Sequence, residues 1–183
     1  MRRTTADLHD LQAAERYLAA AARLEGTFGR IEEAVAPLLR GIRATGRTTF
    51  AADAERGALW GHAFLRAPYA PADPAAEWFV AWGLRFPDGG SGWDGADPPL
   101  PHGVHAVVAL GAAGAPGNGA AARTAAARPA GWSVLDGEAA FLAAALPLDA
   151  LPADSDGLAE ALAAWVLARM EELKPVLPDL AAG

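Results

Sequence analysis

The sequence contains no cysteine, and its only lysine is Lys174. The absence of cysteine excludes disulfides and thiolate metal sites, so a metal ion would have to be held by histidine, aspartate or glutamate. No apolar run reaches the roughly 18 residues that a membrane-spanning helix needs, and the N-terminal stretch lacks the apolar region of a signal peptide. We therefore expect a cytoplasmic protein with no membrane segment.

Basic charge is scarce relative to acidic charge. The chain has 15 Lys and Arg residues against 22 Asp and Glu residues, which gives a net charge of −7. Nucleic-acid binding needs a local excess of basic side chains, so no nucleic-acid partner is expected. Roughly a quarter of the residues are alanine, well above ordinary usage, and we attribute this bias to a GC-rich bacterial genome. The few large apolar residues must therefore supply most of the core.

Several catalytic signatures are also missing. The chain contains neither the G-x-x-x-x-G-K-[ST] loop nor a strand-borne G-x-G-x-x-G that would bind phosphates. Ser91 lies in G-S-G rather than in the G-x-S-x-G turn of an α/β-hydrolase. Asp88, Asp94 and Asp97 lack the spacing of a calcium-binding loop. No complete catalytic set is therefore apparent.

In two segments, bulky side chains recur at every second position, which is typical of β-strands. The first strand is predicted over about 58–66 and the second over about 76–86. The bulky alternating residues are Trp60, His62, Phe64, Trp78, Val80, Trp82 and Leu84. These two strands hold three of the six tryptophans, so we expect the core to form around them.

Three further strands are predicted over about 104–110, 132–135 and 138–146. Asp136-Gly137 separates the last two and is typical of a two-residue hairpin turn. The stretch 111–131 has no periodicity and almost no large side chains, so we interpret it as a flexible insertion. Successive strands with short connections favour an antiparallel sheet.

Helical patterns flank the strands on both sides. Within the segment 1–45, apolar residues recur every three or four positions, which predicts an amphipathic helix. Gly26 weakens its middle, so the pattern allows one long bent helix over about 6–43 or two helices broken near Gly26. The apolar stripe favours packing against the sheet, with a homodimer seam as the alternative. A C-terminal helix is predicted over 155–174.

The predicted architecture is a single α+β domain covering residues 1–183. An antiparallel sheet of about five strands, within residues 58–146, packs against the long N-terminal helical segment and the C-terminal helix. The length of 183 residues agrees with one domain.

A metal site is one functional hypothesis. His62, His102 and His105 are three of the four histidines, and Asp94 lies just before the last two. Histidine and aspartate together are common ligands of divalent metals. On this hypothesis the protein is a metal-dependent hydrolase with a divalent metal cofactor.

A binding surface is the favoured hypothesis. Trp93 lies in a glycine-rich loop, 87–103, where no strand or helix pattern would bury it, and tryptophan is enriched at binding surfaces. Trp60, Arg66 and Arg85 fall on the predicted strands, and a half-buried arginine needs an acidic partner or an anionic ligand. We therefore expect a non-catalytic binding or adaptor module without a cofactor. It would contact a protein or small-molecule partner through this loop and the aromatic sheet face.

Overall fold

The computed structural model describes residues 8–41, 45–47, 51–53, 58–64, 76–85, 95–114, 125–135 and 140–176. These residues form an α+β fold that combines an antiparallel sheet with two helices. The helices are α1 (Leu8–Gly41) and α2 (Ser155–Leu173). The strands are β1 (Thr45–Arg47), β2 (Ala51–Asp53), β3 (Ala58–Phe64), β4 (Ala76–Arg85), β5 (His105–Gly114), β6 (Ser133–Val134) and β7 (Ala140–Pro147). A short 3₁₀ helix, Leu148–Ala150, follows β7.

Four long strands form the body of the sheet, rather than the five or so that the sequence predicts. They are β3, β4, β5 and β7, in that spatial order, and all neighbouring pairs are antiparallel. The short strands β1 and β2 pair with β3 at one edge, and the two-residue β6 pairs with β7 at the other. The first three long strands therefore form a meander, and β7 lies between β5 and β6.

Strand β5 is longer than its sequence pattern indicates. The sequence predicts that its last four residues, 111–114, belong to the flexible insertion 111–131. In the structure they pair with Ala76 to Phe79 of β4. Glycine and alanine carry no alternation signal, so the long neighbouring strand determines where β5 ends. Residues 115–124 of the predicted insertion lie outside the described residues, as does the predicted turn at Asp136-Gly137.

Both helices pack on one face of the sheet. Trp78, Trp82 and Trp132 lie in the main core with side chains at most 1% exposed. The large buried residues that complete this core come from the strands and from both helices: Phe28, Ile31, Val35, Leu38, Val80, Leu84, Val108, Leu110, Leu142, Leu162, Val166, Met170 and Leu173. Because so many other apolar positions carry alanine, these few side chains account for most of the apolar area removed from water.

The described side chains that α1 contributes to the core come from its second half. It is one helix through Gly26 and contains Pro37 near its end. Its buried positions begin at Phe28 and continue at Ile31, Val35 and Leu38, a helical spacing of three and four. Among the described side chains of residues 8–23, none belongs to this core.

Helix α2 is fixed at both ends by polar contacts. At its start the Asp154 carboxylate accepts a hydrogen bond from the Gly157 backbone nitrogen at 2.7 Å, which caps the helix. A Cβ at position 157 would lie 2.7 Å from an Asp154 carboxylate oxygen, so a larger residue there would make this carboxylate shift. Near its end Glu172 accepts a hydrogen bond from the Trp132 indole at 2.8 Å and pairs with Arg169 at 2.6 Å. The hydrogen bond between Trp132 and Glu172 joins α2 to the segment before β6.

Candidate functional site

The sheet has a second face, opposite the one on which both helices pack. Along β4 the residues that alternate with the core tryptophans are Phe79, Ala81, Gly83 and Arg85. A small separate cluster lies on this side and consists of Ala96, Val107, Ala109, Leu135 and Ala143, with Leu100 packed against it. No residue of α1 or α2 belongs to that cluster. We call this side of the sheet the distal face.

Arg85 and His105 lie directly opposite each other at one end of the distal face. The β4–β5 register pairs Arg85 with His105, and the β5–β7 register pairs His105 with Pro147. His105 is 0% exposed, whereas Arg85 is half-buried. Directly opposed residues in an antiparallel sheet have Cβ atoms only about 4.5–5.5 Å apart. A guanidinium group and an imidazole are therefore neighbours on this face.

The hydrogen bonds of His105 define its chemical state. Its Nδ1 lies 3.0 Å from the carbonyl oxygen of Gly103. A carbonyl oxygen only accepts hydrogen bonds, so Nδ1 carries the proton, and in the neutral ring Nε2 is then an acceptor. Nε2 is buried and has no hydrogen-bond partner. The site therefore contains a fixed imidazole with one free acceptor atom.

The surroundings of His105 favour its neutral form. Burial, which penalises the charged ring, lowers the pKa of His105 below 6.5, and the positive charge of Arg85 acts in the same direction. The hydrogen bond to the Gly103 carbonyl opposes this change and is smaller than the effect of burial. At neutral pH the ring is therefore uncharged beside a charged guanidinium.

The position of Trp60 lies close to Arg85. The β3–β4 register pairs Trp60 with Gly83, two residues before Arg85, and pairs Ala58 with Arg85 itself. The Trp60 backbone position is therefore diagonal to that of Arg85 across the β3–β4 pair. The register thus places the backbones of Trp60, Arg85 and His105 near one another.

The end of the predicted 87–103 loop crosses the distal face. We call residues 95–104 the crossing segment. Asp97 forms an antiparallel bridge with Val134, with backbone hydrogen bonds of 2.9 and 2.8 Å, so this part of the segment lies beyond β6 at the sheet edge. The Ser133 hydroxyl donates to the Pro98 carbonyl at 2.7 Å, and Arg128 donates to the Asp97 carbonyl at 2.9 Å.

The crossing segment then packs Ala96 and Leu100 onto the small distal cluster. The sequence predicts a glycine-rich loop here, and only Asp97 of the segment pairs with a neighbouring strand.

The backbones of two histidines of the predicted metal site, His62 and His105, are well separated in the sheet. His62 pairs with Ala81, which pairs with Ala109, four residues along β5 from His105. With strands about 4.8 Å apart and a rise of about 3.4 Å per residue, the His62 and His105 backbones are separated by roughly 16 Å. His102 is exposed in the crossing segment. Within the described ranges no group of three or more histidine and acidic residues could hold a metal ion.

Three predicted site residues lie outside the part of the chain that the structure describes. These are Trp93, Asp94 and Arg66. The metal-site and binding-site predictions that include them therefore stay predictions.

Comparison of the chain with protein-family models, with curated proteins and with solved structures gives no match. Neither described helix combines the length and the apolar character needed to cross a bilayer.

Proposed function

We propose that the protein is a non-catalytic binding module that takes an anionic group of a partner at the distal face, beside Arg85 and His105. The observation that carries this proposal is the register that sets a guanidinium opposite a buried, neutral imidazole with a free acceptor atom. The partner is a protein or a small molecule with a carboxylate or phosphate group.

The chemistry of the two side chains supports an anionic ligand. The arginine side chain has five donors in a planar fork that matches the oxygens of a carboxylate or phosphate. The His105 ring is fully buried, so it supports the site as an uncharged neighbour of Arg85 rather than as a contact of the ligand. Trp60 is the predicted aromatic contact, and its backbone position is diagonal to that of Arg85.

The crossing segment and the remainder of the 87–103 loop are the second part of this proposal. The segment ends at Val104, next to His105, and Gly103 supplies the carbonyl that orients the imidazole. A partner that contacts Arg85 would therefore lie beside this loop as well. The loop would supply further contacts, among them the predicted contact residue Trp93.

Removal of the Arg85 charge should weaken anion binding at the distal face. We expect Arg85→Gln to reduce the affinity for inorganic phosphate, succinate or an acidic peptide about tenfold or more, because a hydrogen bond to a charged group contributes about 1.5–3 kcal/mol. Amide chemical shifts during titration of isotope-labelled protein measure this effect. In the wild type the largest changes should fall at the end of β4 and the start of β5.

Arg40→Gln is the matched control. Arg40 is an exposed arginine near the end of α1, so its substitution removes the same charge far from the distal face. Equal loss of affinity in both variants would contradict the proposal, as would shift changes confined to other surfaces. The three probes distinguish phosphate, small dicarboxylate and peptide ligands.

One observation favours the hydrolase alternative. A histidine whose Nδ1 is held by a carbonyl and whose Nε2 is free has the arrangement of many metal ligands and general bases. Zinc, manganese or iron at one ion per chain in purified protein, lost in His105→Gln, would replace the binding-module proposal with this alternative.

A further inference from the structure

Four hydrogen bonds fasten the crossing segment at the sheet edge. Asp97 and Val134 exchange two of them between their backbones, at 2.9 and 2.8 Å. The other two come from side chains, because Arg128 donates to the Asp97 carbonyl and Ser133 donates to the Pro98 carbonyl. All four bonds therefore join two consecutive residues of the segment to the short stretch that ends in β6. We call the Arg128 and Ser133 side chains the latch.

Beyond the latch, the crossing segment has few further hydrogen bonds to the sheet. Three of its residues are prolines, which have no backbone N–H to donate. Among the described residues, the next backbone hydrogen bond between the segment and its surroundings is at Val104, whose carbonyl accepts from Leu148 at 3.3 Å. The residues between these two fastenings are therefore held mainly by side-chain packing.

The crossing segment covers a small apolar cluster that is separate from the main core. We call the buried members the distal cluster: Ala96, Val107, Ala109, Leu135 and Ala143. Three of these five residues are alanine, and a methyl side chain removes little apolar area from water. The described residues of the segment that pack here are Ala96 and Leu100. The main core holds three tryptophans and residues of both helices, so it does not depend on this cluster.

We propose that the crossing segment is a strap, which opens and closes over the distal cluster while the helix-covered core stays folded, with Arg128 and Ser133 as its latch. Regions with few buried apolar contacts open locally at a lower free energy than the rest of a domain. Opening uncovers apolar sheet surface and separates the Gly103 carbonyl from His105, so it changes the candidate site as well. The inference does not rest on the proposed anion binding, because a strap can open without a ligand.

Single cysteines report the opening, because the chain has none of its own. Ala143 and Ala144 are neighbours on β7 with 0% and 3% exposure, yet Ala143 belongs to the distal cluster and Ala144 to the main core. A buried thiol reacts with an aromatic disulfide reagent only when it becomes exposed, so the labelling rate measures opening. We expect Ala143→Cys to react at least about 100-fold faster than Ala144→Cys in the native full chain.

Urea separates local opening from global unfolding. Opening of the strap exposes little surface, so labelling of Ala143→Cys should stay nearly constant below the unfolding transition, whereas labelling of Ala144→Cys should rise steeply. A second matched pair on β5 repeats the comparison: Ala109→Cys lies in the distal cluster and Ala106→Cys lies in the main core. The two pairs together keep the test valid where one variant fails to fold.

Removal of the latch should make the strap open more frequently. In the Ala109→Cys chain, Ser133→Ala removes one hydrogen bond to the strap and should raise the labelling rate about fivefold to tenfold, and Arg128→Gln should act in the same direction. Arg30→Gln is the matched control, because this exposed arginine pairs with Asp156 of α2. It should leave labelling of Ala109→Cys unchanged.

Two results would overturn the proposal. The first is equal labelling rates with equal urea dependence on the two faces of the sheet, because the distal cluster would then open only when the whole domain unfolds. The second is a labelling rate of Ala109→Cys that neither latch variant changes, because the latch would then not hold the strap.

Discussion

Replacement of Trp82 with alanine is expected to lower the free energy of unfolding by about 3–5 kcal/mol. Trp82 is 1% exposed, lies on the helix-covered face and pairs in register with Gly61 on one side and Val108 on the other. The neighbouring backbone and small side chains cannot fill the space that an indole leaves, so a cavity remains. Chemical denaturation followed by circular dichroism measures the loss.

Phenylalanine variants separate the packing contribution from hydrogen bonding. The buried Nε1 of Trp82 has no hydrogen-bond partner, so Trp82→Phe loses volume only and should cost about 1–2 kcal/mol. Trp132 is buried equally well, but its Nε1 donates to Glu172. Trp132→Phe should therefore cost about 1.5 kcal/mol more than Trp82→Phe. Equal costs for the two variants would contradict the contact between Trp132 and α2.

A charge in the second half of α1 is expected to unfold the protein almost completely. Val35 is 0% exposed in the main core, and Val35→Asp would bury a carboxylate without a partner. That change costs more than about 4 kcal/mol, which is most of the stability of an ordinary domain. The far-ultraviolet circular dichroism signal and the loss of a cooperative thermal transition record the result.

Leu18→Asp supplies the matched control for this prediction, because Leu18 is 67% exposed in the first half of α1. Its unfolding free energy should stay within about 0.5 kcal/mol of the wild type. A folded Val35→Asp protein, or a Leu18→Asp protein as unstable as Val35→Asp, would show that α1 packs differently.

In β3 and β4, bulky side chains recur at every second residue. This alternation predicts both strands. Trp78, Val80 and Trp82 share the helix-covered face, as their spacing indicates. The end of β5 could not be predicted, since residues 111–114 contain only glycine and alanine and their pairing depends on β4.

The candidate site was only half predictable, for a similar reason. Arg85 and Trp60 could be identified as polar and aromatic residues on strands. The opposition of Arg85 and His105 depends on a register across a long connection, 86–104, and a connection of this length does not determine the register of the strands it joins. The edge pairing of Asp97 with Val134 is also a long-range contact, and local sequence carries little information about such contacts.

The candidate site depends on a buried, neutral His105 beside Arg85. The pH dependence of unfolding tests whether this imidazole is buried and neutral. Because burial holds the pKa of folded His105 below 6.5, the unfolded chain binds a proton near pH 6.5 that the folded chain does not. The stabilisation that neutral His105 contributes is complete above about pH 6.5. It is lost as the pH falls toward the lower pKa that His105 has in the folded chain.

The unfolding free energy of the wild type should therefore fall between pH 7 and pH 5 more steeply than that of His105→Gln, while the exposed-site control His102→Gln should follow the wild type. Identical slopes for the wild type and His105→Gln, or a wild type that becomes more stable as the pH falls, would contradict the account.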